Sequence, residues 1–235
     1  MPEFMLMMVE DEAAERKLSP AETQALVDGH SAYEKKLRAR SAYRDGERLR
    51  PSSEGRRVSG TDERARVDAG PFEEKALSGY YVVEAAGLED ALKLAEECPL
   101  PPSGELEVRP VMKGNLQADK ATRPGRVFGF AVLGNAPSET AWIDVMDRID
   151  ENTHDRFPEE RFGGGVRLQE PGRGRRVSAV GGRRAVFDGP FLESKEVIGG
   201  LFFMRMASLD EAVQWALASE FVKYGTLEIR ELWRS

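Results

Sequence analysis

The sequence predicts an α+β protein that carries two copies of one domain. Four segments of the first half recur in the same order in the second half, at offsets of 119 or 121 residues. Such ordered matches at a nearly fixed period indicate an internal duplication. The matching pairs are GRRVS at 55–59 and 174–178, Gly70-Pro71-Phe72 and Gly189-Pro190-Phe191, 88–91 and 209–212, and 106–109 and 227–230.

The duplication divides the 235 residues into two domains of ordinary size. We expect the first repeat at 1–112 and the second at 127–235. Residues 113–126 between them are mostly polar and contain two glycines and a proline, which is the composition of a linker.

Each repeat is predicted to contain a strand, a helix, a hairpin, a strand, a helix and a strand, in that order. In the first repeat an apolar strand at 4–9 precedes 19–22, where a capping serine, a proline and a glutamate start a helix. This helix is expected to bury one stripe of side chains, namely Leu26, His30, Tyr33 and Leu37. The other elements are a polar hairpin at 56–59 and 64–68, a strand at 80–84, a helix at 88–97 and a strand at 106–111.

The second repeat follows the same plan, and Ser208 supplies a second capping box. Alternating strands and helices with short loops favour an α+β sandwich, in which two helices cover one face of a sheet. The elements of this repeat are a strand at 127–133, a helix that starts at about Ser138 and ends near His154, a hairpin at 175–186, a loop at 188–191, a strand at 201–206, a helix at 209–218 and a strand at 226–232.

The composition excludes several classes of protein. With 40% apolar and 32% charged residues the chain should fold, and its net charge of −7 argues against a nucleic-acid-binding protein. The apolar run at 1–9 is too short for a membrane span and lacks a basic leader, so we expect a cytoplasmic protein without membrane contact. Cys98 is predicted to be a buried, inert thiol. Two histidines and one cysteine make no metal-ligand spacing, and we predict no metal and no cofactor.

In the second half Asp188-Gly189-Pro190-Phe191 is followed by Glu193, Lys195 and Gly199-Gly200. With these residues the second half resembles the YCII-related family, and within it the DGPF branch. The first half resembles the same family at 47–52, 70–72, 79–81, 98–99 and 107–112. It departs from the pattern where Ala69 stands in place of the aspartate of the motif, and where two residues are missing before Gly79.

The resemblance implies a ferredoxin-like fold related to dimeric α/β barrels, in which two sheets pack face to face. In a duplicated chain it implies that the two ferredoxin-like repeats form an intrachain pseudo-dimer, and a further homodimer is left open. Some members of this branch are encoded beside extracytoplasmic-function sigma factors. Related YciI-like proteins include a ring-dechlorinating enzyme that relies on a histidine and an aspartate.

Two residues are candidates for catalysis. Asp188 precedes a Gly-Pro loop, where partial burial at a cleft would raise its pKa and suit it to proton transfer. A side chain that caps the turn explains the same aspartate, and we favour that interpretation. His30 lies on the apolar stripe and could face a ligand, but its counterpart is Ile149, which favours a satisfied core histidine.

The Gly-Pro-Phe loops and the hairpin arginines are candidates for binding. The loop phenylalanines could border a cleft or pin their loops to the core. The arginines could hold a carboxylate or a phosphate, although charged hairpin edges also prevent unwanted strand pairing. The predicted binding residues are Gly70, Pro71, Phe72, Gly189, Pro190, Phe191, Arg57 and Arg176.

Three functions stay open at this point. The first is a binding or regulatory module for a small anionic or aromatic ligand, with a cleft between the two sheets. The second is a small lyase, isomerase or hydrolase that uses Asp188 as acid or base. The third is an interaction partner of the transcription machinery, which rests on the gene context of the family alone.

Overall fold

The computed structural model describes residues 1–116, 125–134, 143–144, 147–148, 160–180, 183–188 and 197–233. The elements of the first half are β1 (Glu3–Asp11), α1 (Glu12–Glu15), α2 (Pro20–Ala39), β2 (Tyr43–Arg48), β3 (Arg56–Ser59), β4 (Arg66–Ala69), β5 (Lys75–Glu84), α3 (Leu88–Glu96) and β6 (Glu105–Leu116). Those of the second half are β7 (Arg126–Gly134), β8 (Phe162–Leu168), β9 (Arg175–Val180), β10 (Arg183–Asp188), β11 (Val197–Met206), α4 (Leu209–Leu217) and β12 (Thr226–Glu231).

The predicted helix starts are confirmed in atomic detail. At the start of α2 the Ser19 amide donates to Oε2 of Glu22 at 2.8 Å, and the Glu22 amide donates to Oγ of Ser19 at 3.3 Å. At the start of α4 the Glu211 amide donates to Oγ of Ser208 at 3.1 Å, as predicted. The predicted capping box is incomplete there, because the Glu211 carboxylate accepts from the Ala207 amide at 2.6 Å and not from the Ser208 amide. No helix within the described ranges is both long and apolar enough to cross a membrane.

Some elements differ from the prediction. The sequence analysis missed β2 and β8, because β2 is almost wholly polar and β8 contains three consecutive glycines, both unusual in strands. In addition, β6 continues to Leu116, inside the segment that we expected to be a linker. The helix predicted to start at about Ser138 and end near His154 lies almost wholly outside the described residues, and the loop at 189–191 lies wholly outside them.

The chain divides into two compact units that do not coincide with the two halves of the sequence. Unit 1 consists of Met1–Arg48, Glu73–Val111 and Pro171–Leu192, and unit 2 consists of Leu49–Phe72, Met112–Glu170 and Glu193–Ser235. Each half therefore contributes its arginine-rich hairpin to the sheet of the other half.

The sheet of unit 1 is antiparallel, with the strand order β2-β5-β1-β6-β9-β10. Strand β9 comes from the second half, and its Val177 pairs with Leu106 of β6. Val177 is fully buried in the same core cluster as Leu6 and Leu37, which belong to the first half. Burying such a side chain stabilises the fold by about 1.5–3 kcal/mol, so the core of unit 1 includes the hairpin of the second half.

The sheet of unit 2 repeats this arrangement, with the strand order β8-β11-β7-β12-β3-β4. Here the hairpin comes from the first half, and Val58 of β3 pairs with Leu227 of β12. Val58 is fully buried in a core that contains Phe130 and Phe202, whose stacked rings lie 4.8 Å apart. The two units thus have equivalent strand orders, with the roles of the two halves exchanged.

Candidate functional site

Four of the predicted binding residues meet in unit 2, at the first Gly-Pro-Phe loop. The Arg57 guanidinium carbon lies 4.5 Å from the centre of the Phe72 ring. Nε and Nη2 of Arg57 donate to Oε2 of Glu228 at 3.0 and 2.9 Å. The neighbouring Gly70, before Pro71, has no room for a Cβ atom. Because an internal carboxylate already engages Arg57, these contacts favour an anchoring role for the loop over an anion clamp.

The second hairpin engages its arginines in a similar way. Nη1 of Arg176 lies 4.0 Å from Oε2 of Glu105, and its guanidinium carbon lies 5.2 Å from the centre of the Phe187 ring. Nε of Arg175 lies 3.0 Å from Oδ1 of Asp188, whose side chain is 94% exposed. This exposure does not fit the partial burial that the catalytic interpretation of Asp188 requires. Both interpretations of Asp188, catalytic acid or base and turn cap, stay predictions. Gly189, Pro190 and Phe191 lie outside the described residues.

His30 occupies the expected stripe of α2 and is partly buried in unit 1. Its Nδ1 lies 3.2 Å from the Tyr81 hydroxyl. The hydrogen-bond partner of His30 among the described residues is therefore a tyrosine, whereas the related ring-dechlorinating enzyme relies on a histidine and an aspartate. Burial, and to a smaller extent the positive charge of Arg48, lowers the pKa of His30 to about 4. The imidazole is therefore neutral at pH 7. Burial raises the pKa of Tyr81, which keeps its hydroxyl protonated and able to donate to Nδ1.

Glu10, near the end of β1, was missed by the sequence analysis. Its side chain is buried, and the residue is only 6% exposed. Burial, and to a smaller extent the negative charge of Glu15, raises its pKa to about 7. A hydrogen bond from Ser78 and the charge of Arg48 oppose the rise, and Glu12 makes a smaller contribution that raises it. Titratable groups shifted by burial and a specific charge cluster at functional sites.

Arg48, the last residue of β2, influences the protonation of both Glu10 and His30. Its charge lowers the pKa of both Glu10 and His30, and its Nη2 donates to Oε1 of Glu15 at 2.5 Å. The sheet register places Arg48 opposite Gly79 of β5. A Cβ atom at Gly79 would come within 2.8 Å of the Glu47 carbonyl oxygen, so glycine permits this close approach of β2.

Cys98 lies beside the same groups, directly after α3. The predicted burial of this thiol is confirmed, and burial raises its pKa to about 12. The positive charge of Arg184 lowers this pKa and the negative charge of Glu10 raises it, which indicates that both groups lie near the thiol. Nη2 of Arg184, in the exchanged hairpin, donates to the Cys98 carbonyl oxygen at 3.1 Å. We call the following residues the acid–imidazole cluster: Glu10, His30, Arg48, Tyr81 and Cys98.

A second set of buried charges lies on the last strand of each repeat. Glu107 contacts Arg109 in β6, and Oε1 of Glu228 lies 3.5 Å from Nε of Arg230 in β12. Both arginines are at most 2% exposed, and burial lowers the pKa of Arg109 to about 9. Alternation along a strand places residues two positions apart on one face, which explains both pairs. Within the described residues, no group of three histidine, cysteine or acidic side chains is arranged to hold a metal ion.

Comparison with known proteins identifies the family of the chain. No curated protein matches the sequence. Among solved structures, a provisionally assigned chlorite dismutase is 10% identical, with a TM-score of 0.42 over 100% of this chain and 96% of its own. An anthrone oxidase-like protein is also 10% identical, with a TM-score of 0.43 over 99% and 92% of the two chains. The model of the YCII-related domain matches twice, at residues 3–115 and 159–235, and the chain therefore belongs to the YCII-related domain family.

Proposed function

We propose that this protein is a small-molecule-binding module whose site is the acid–imidazole cluster of unit 1. One observation carries the proposal: two ionisable side chains, Glu10 and His30, are largely buried, and the positive charge of Arg48 lowers the pKa of both. Burial of ionisable groups costs free energy. Proteins often bear this cost at binding and catalytic sites, where ionisable groups with shifted pKa values cluster. The hairpin arginines are weaker candidates, because their side chains are less exposed. Arg57, paired with Glu228, is 20% exposed and Arg175, paired with Asp188, is 33% exposed, whereas Arg48, paired with Glu15, is 46% exposed.

The exposed guanidinium group of Arg48, which also pairs with Glu15, offers an anionic ligand a positively charged partner. The Arg48 side chain is 46% exposed, so a dissolved anion can approach its guanidinium group. Guanidinium groups bind carboxylates and phosphates through paired N–H donors. His30 is neutral at pH 7 and adds a polar group without adding charge. We therefore expect a small anion to bind with Arg48 as its main charged partner.

The test is a titration of the protein with acetate, benzoate and inorganic phosphate, followed by ¹H–¹⁵N NMR. We expect at least one anion to give saturable shifts of amides around Glu10. Arg48→Gln should weaken this binding by about tenfold or more, which corresponds to about 1.4 kcal/mol. Arg16→Gln, at an exposed arginine of the same unit, is the control. Failure of all three anions to bind, or equal affinities in the Arg48 and Arg16 variants, would contradict the proposal.

An acid–base enzyme acting on an anionic or aromatic compound is the second candidate. The raised pKa of Glu10 favours it, since a carboxyl that titrates near neutrality suits proton transfer. The earlier hypothesis assigned this role to Asp188. If it is correct, Asp188→Asn should abolish turnover of a bound compound while Glu10→Gln leaves it intact.

Other expectations remain predictions within this proposal. They are membership of the DGPF branch, ferredoxin-like repeats paired within the chain, repeat boundaries at 1–112 and 127–235 around a linker, a cytoplasmic location, and a role beside the transcription machinery. Chemical cross-links formed within the monomer and located by mass spectrometry would test the pairing of the repeats, and co-purification with RNA polymerase would test the last expectation.

A further inference from the structure

The first hairpin, made by β3 and β4, docks on the last strand of the other repeat. Four consecutive residues of β3 pair with four residues of β12. Val58 is fully buried at this junction, and Arg57 donates two hydrogen bonds to Glu228. A buried aliphatic side chain contributes about 1.5–3 kcal/mol, and the backbone pairing adds to it. The hairpin is therefore held by a specific surface and not by its connections alone.

Both units recognise their hairpin through the same residues. The hairpins carry GRRVS at 55–59 and 174–178, and the receiving strands carry LEVR at 106–109 and LEIR at 227–230. In each unit the valine of the hairpin lies opposite the leucine of the receiving strand, and the second arginine lies opposite the glutamate. These contacts select a hairpin by its sequence, and they do not depend on which chain carries it.

The connection from β4 to β5 is too short for the first hairpin to complete the sheet of its own repeat. In that arrangement β3 and β4 would take the places of β9 and β10, and β4 would lie four strand spacings, or about 19 Å, from β5. Ala69 would then lie level with Tyr81, and Lys75 lies about 17 Å further along β5, so the two ends of the connection would be about 25 Å apart. The six Cα–Cα steps from Ala69 to Lys75 span at most about 22 Å. The first hairpin must therefore dock on a different repeat.

We propose that the first hairpin also docks on β12 of a second copy of this chain, so that two copies form a hairpin-exchanged dimer. The same surface serves both arrangements, and only the chain that supplies the hairpin differs. Within one chain, residues 117–125 join β6 to β7, and a tether of this length gives an effective concentration of about 1 mM. A second copy therefore competes when the protein folds at a similar concentration. The inference is independent of the proposed anion site.

The experiment detects a disulfide that only the exchanged dimer can form. One full-length variant carries Ser59→Cys and the other carries Thr226→Cys, and both carry Cys98→Ser so that no other thiol is present. Positions 59 and 226 lie opposite each other in β3 and β12, where Cα atoms about 4.5–5.5 Å apart suit a disulfide. The two variants are unfolded together in urea, refolded in a redox buffer at about 0.05 mM or about 1 mM, and analysed by mass spectrometry.

We expect a disulfide between positions 59 and 226 of two different chains, about tenfold more abundant at the higher concentration. Ser59→Cys mixed with Ser31→Cys, at an exposed residue of α2 and in the same background, is the control for random cross-linking. A yield of the 59–226 cross-link no higher than in this control would overturn the proposal. The wild type gives a second readout that needs no substitution. Light scattering should find a dimer after refolding at about 1 mM, and a monomer alone at both concentrations would also overturn the proposal.

Discussion

Replacing Glu10 by glutamine should stabilise the protein at alkaline pH and leave its stability at acidic pH nearly unchanged. Burial raises the pKa of Glu10 from 4.5 to about 7, so the folded protein binds more protons than the unfolded chain between these values. The free energy of unfolding therefore falls as the pH rises through this window. A shift of about 2.5 units at about 1.4 kcal/mol per unit gives a loss of about 3 kcal/mol, which the glutamine variant avoids.

Urea unfolding followed by circular dichroism between pH 4 and pH 9 measures this effect. The variant should exceed the wild type by almost nothing at pH 4 and by about 3 kcal/mol above pH 8. His30 has the opposite influence: its pKa is lowered from 6.5 to about 4, so its contribution to stability rises with pH across that range. This contribution is present in both proteins and cancels in the difference. A difference that stays constant from pH 4 to pH 9, or equals that of the control Glu74→Gln at an exposed glutamate, would refute the reasoning.

Three further predictions concern the exchanged hairpins and the buried thiol. Val58→Ala and Val177→Ala should each lower the free energy of unfolding by about 1–3 kcal/mol in urea, because both side chains are fully buried. A double-mutant cycle of Arg57→Gln and Glu228→Gln should give a coupling energy of about 1–2 kcal/mol, since their ion pair is largely buried. The Cys98 thiol, with a pKa of about 12, should react much more slowly with a disulfide reagent at pH 8 than the same thiol in urea.

Matched controls make these three predictions refutable. Val67→Ala, at a residue of β4 that is 44% exposed, should change stability by less than about 0.5 kcal/mol. Equal losses at Val58 and Val67 would contradict the burial of β3 in unit 2. A coupling energy near zero for Arg57 and Glu228 would contradict an anchoring role for their ion pair. Equal reaction rates of Cys98 in native buffer and in urea would contradict its burial.

The sequence predicted most elements of the fold, but it could not predict the exchange of hairpins. The capping residues at Ser19 and Ser208 determine helix starts locally, so a local pattern suffices to find them. The hairpins pose a different problem, because β3 and β9 carry the same GRRVS segment. Their partner strands also match, and Val58 pairs with Leu227 as Val177 pairs with Leu106. Local contacts are thus nearly equivalent in the exchanged and unexchanged arrangements, and the local sequence cannot choose between them.

The candidate site was only partly visible in the sequence. His30 was found because it interrupts an apolar helical stripe. Glu10 was overlooked because it begins an acidic run that marks the end of a strand. Alternation along β1 places Glu10 on the same face as Leu6 and Met8, which was the available signal. Its raised pKa arises from burial and from charges on other elements, such as that of Arg48, and these depend on the tertiary fold.

The most direct test of the account is a ¹³C NMR titration of the Glu10 side-chain carboxyl, with and without benzoate. We predict a pKa of about 7 in the free protein and a higher value in the complex, because the bound carboxylate favours the protonated form. A pKa near 4.5 that benzoate does not change would contradict both the burial of this acid and the binding of an anion beside it.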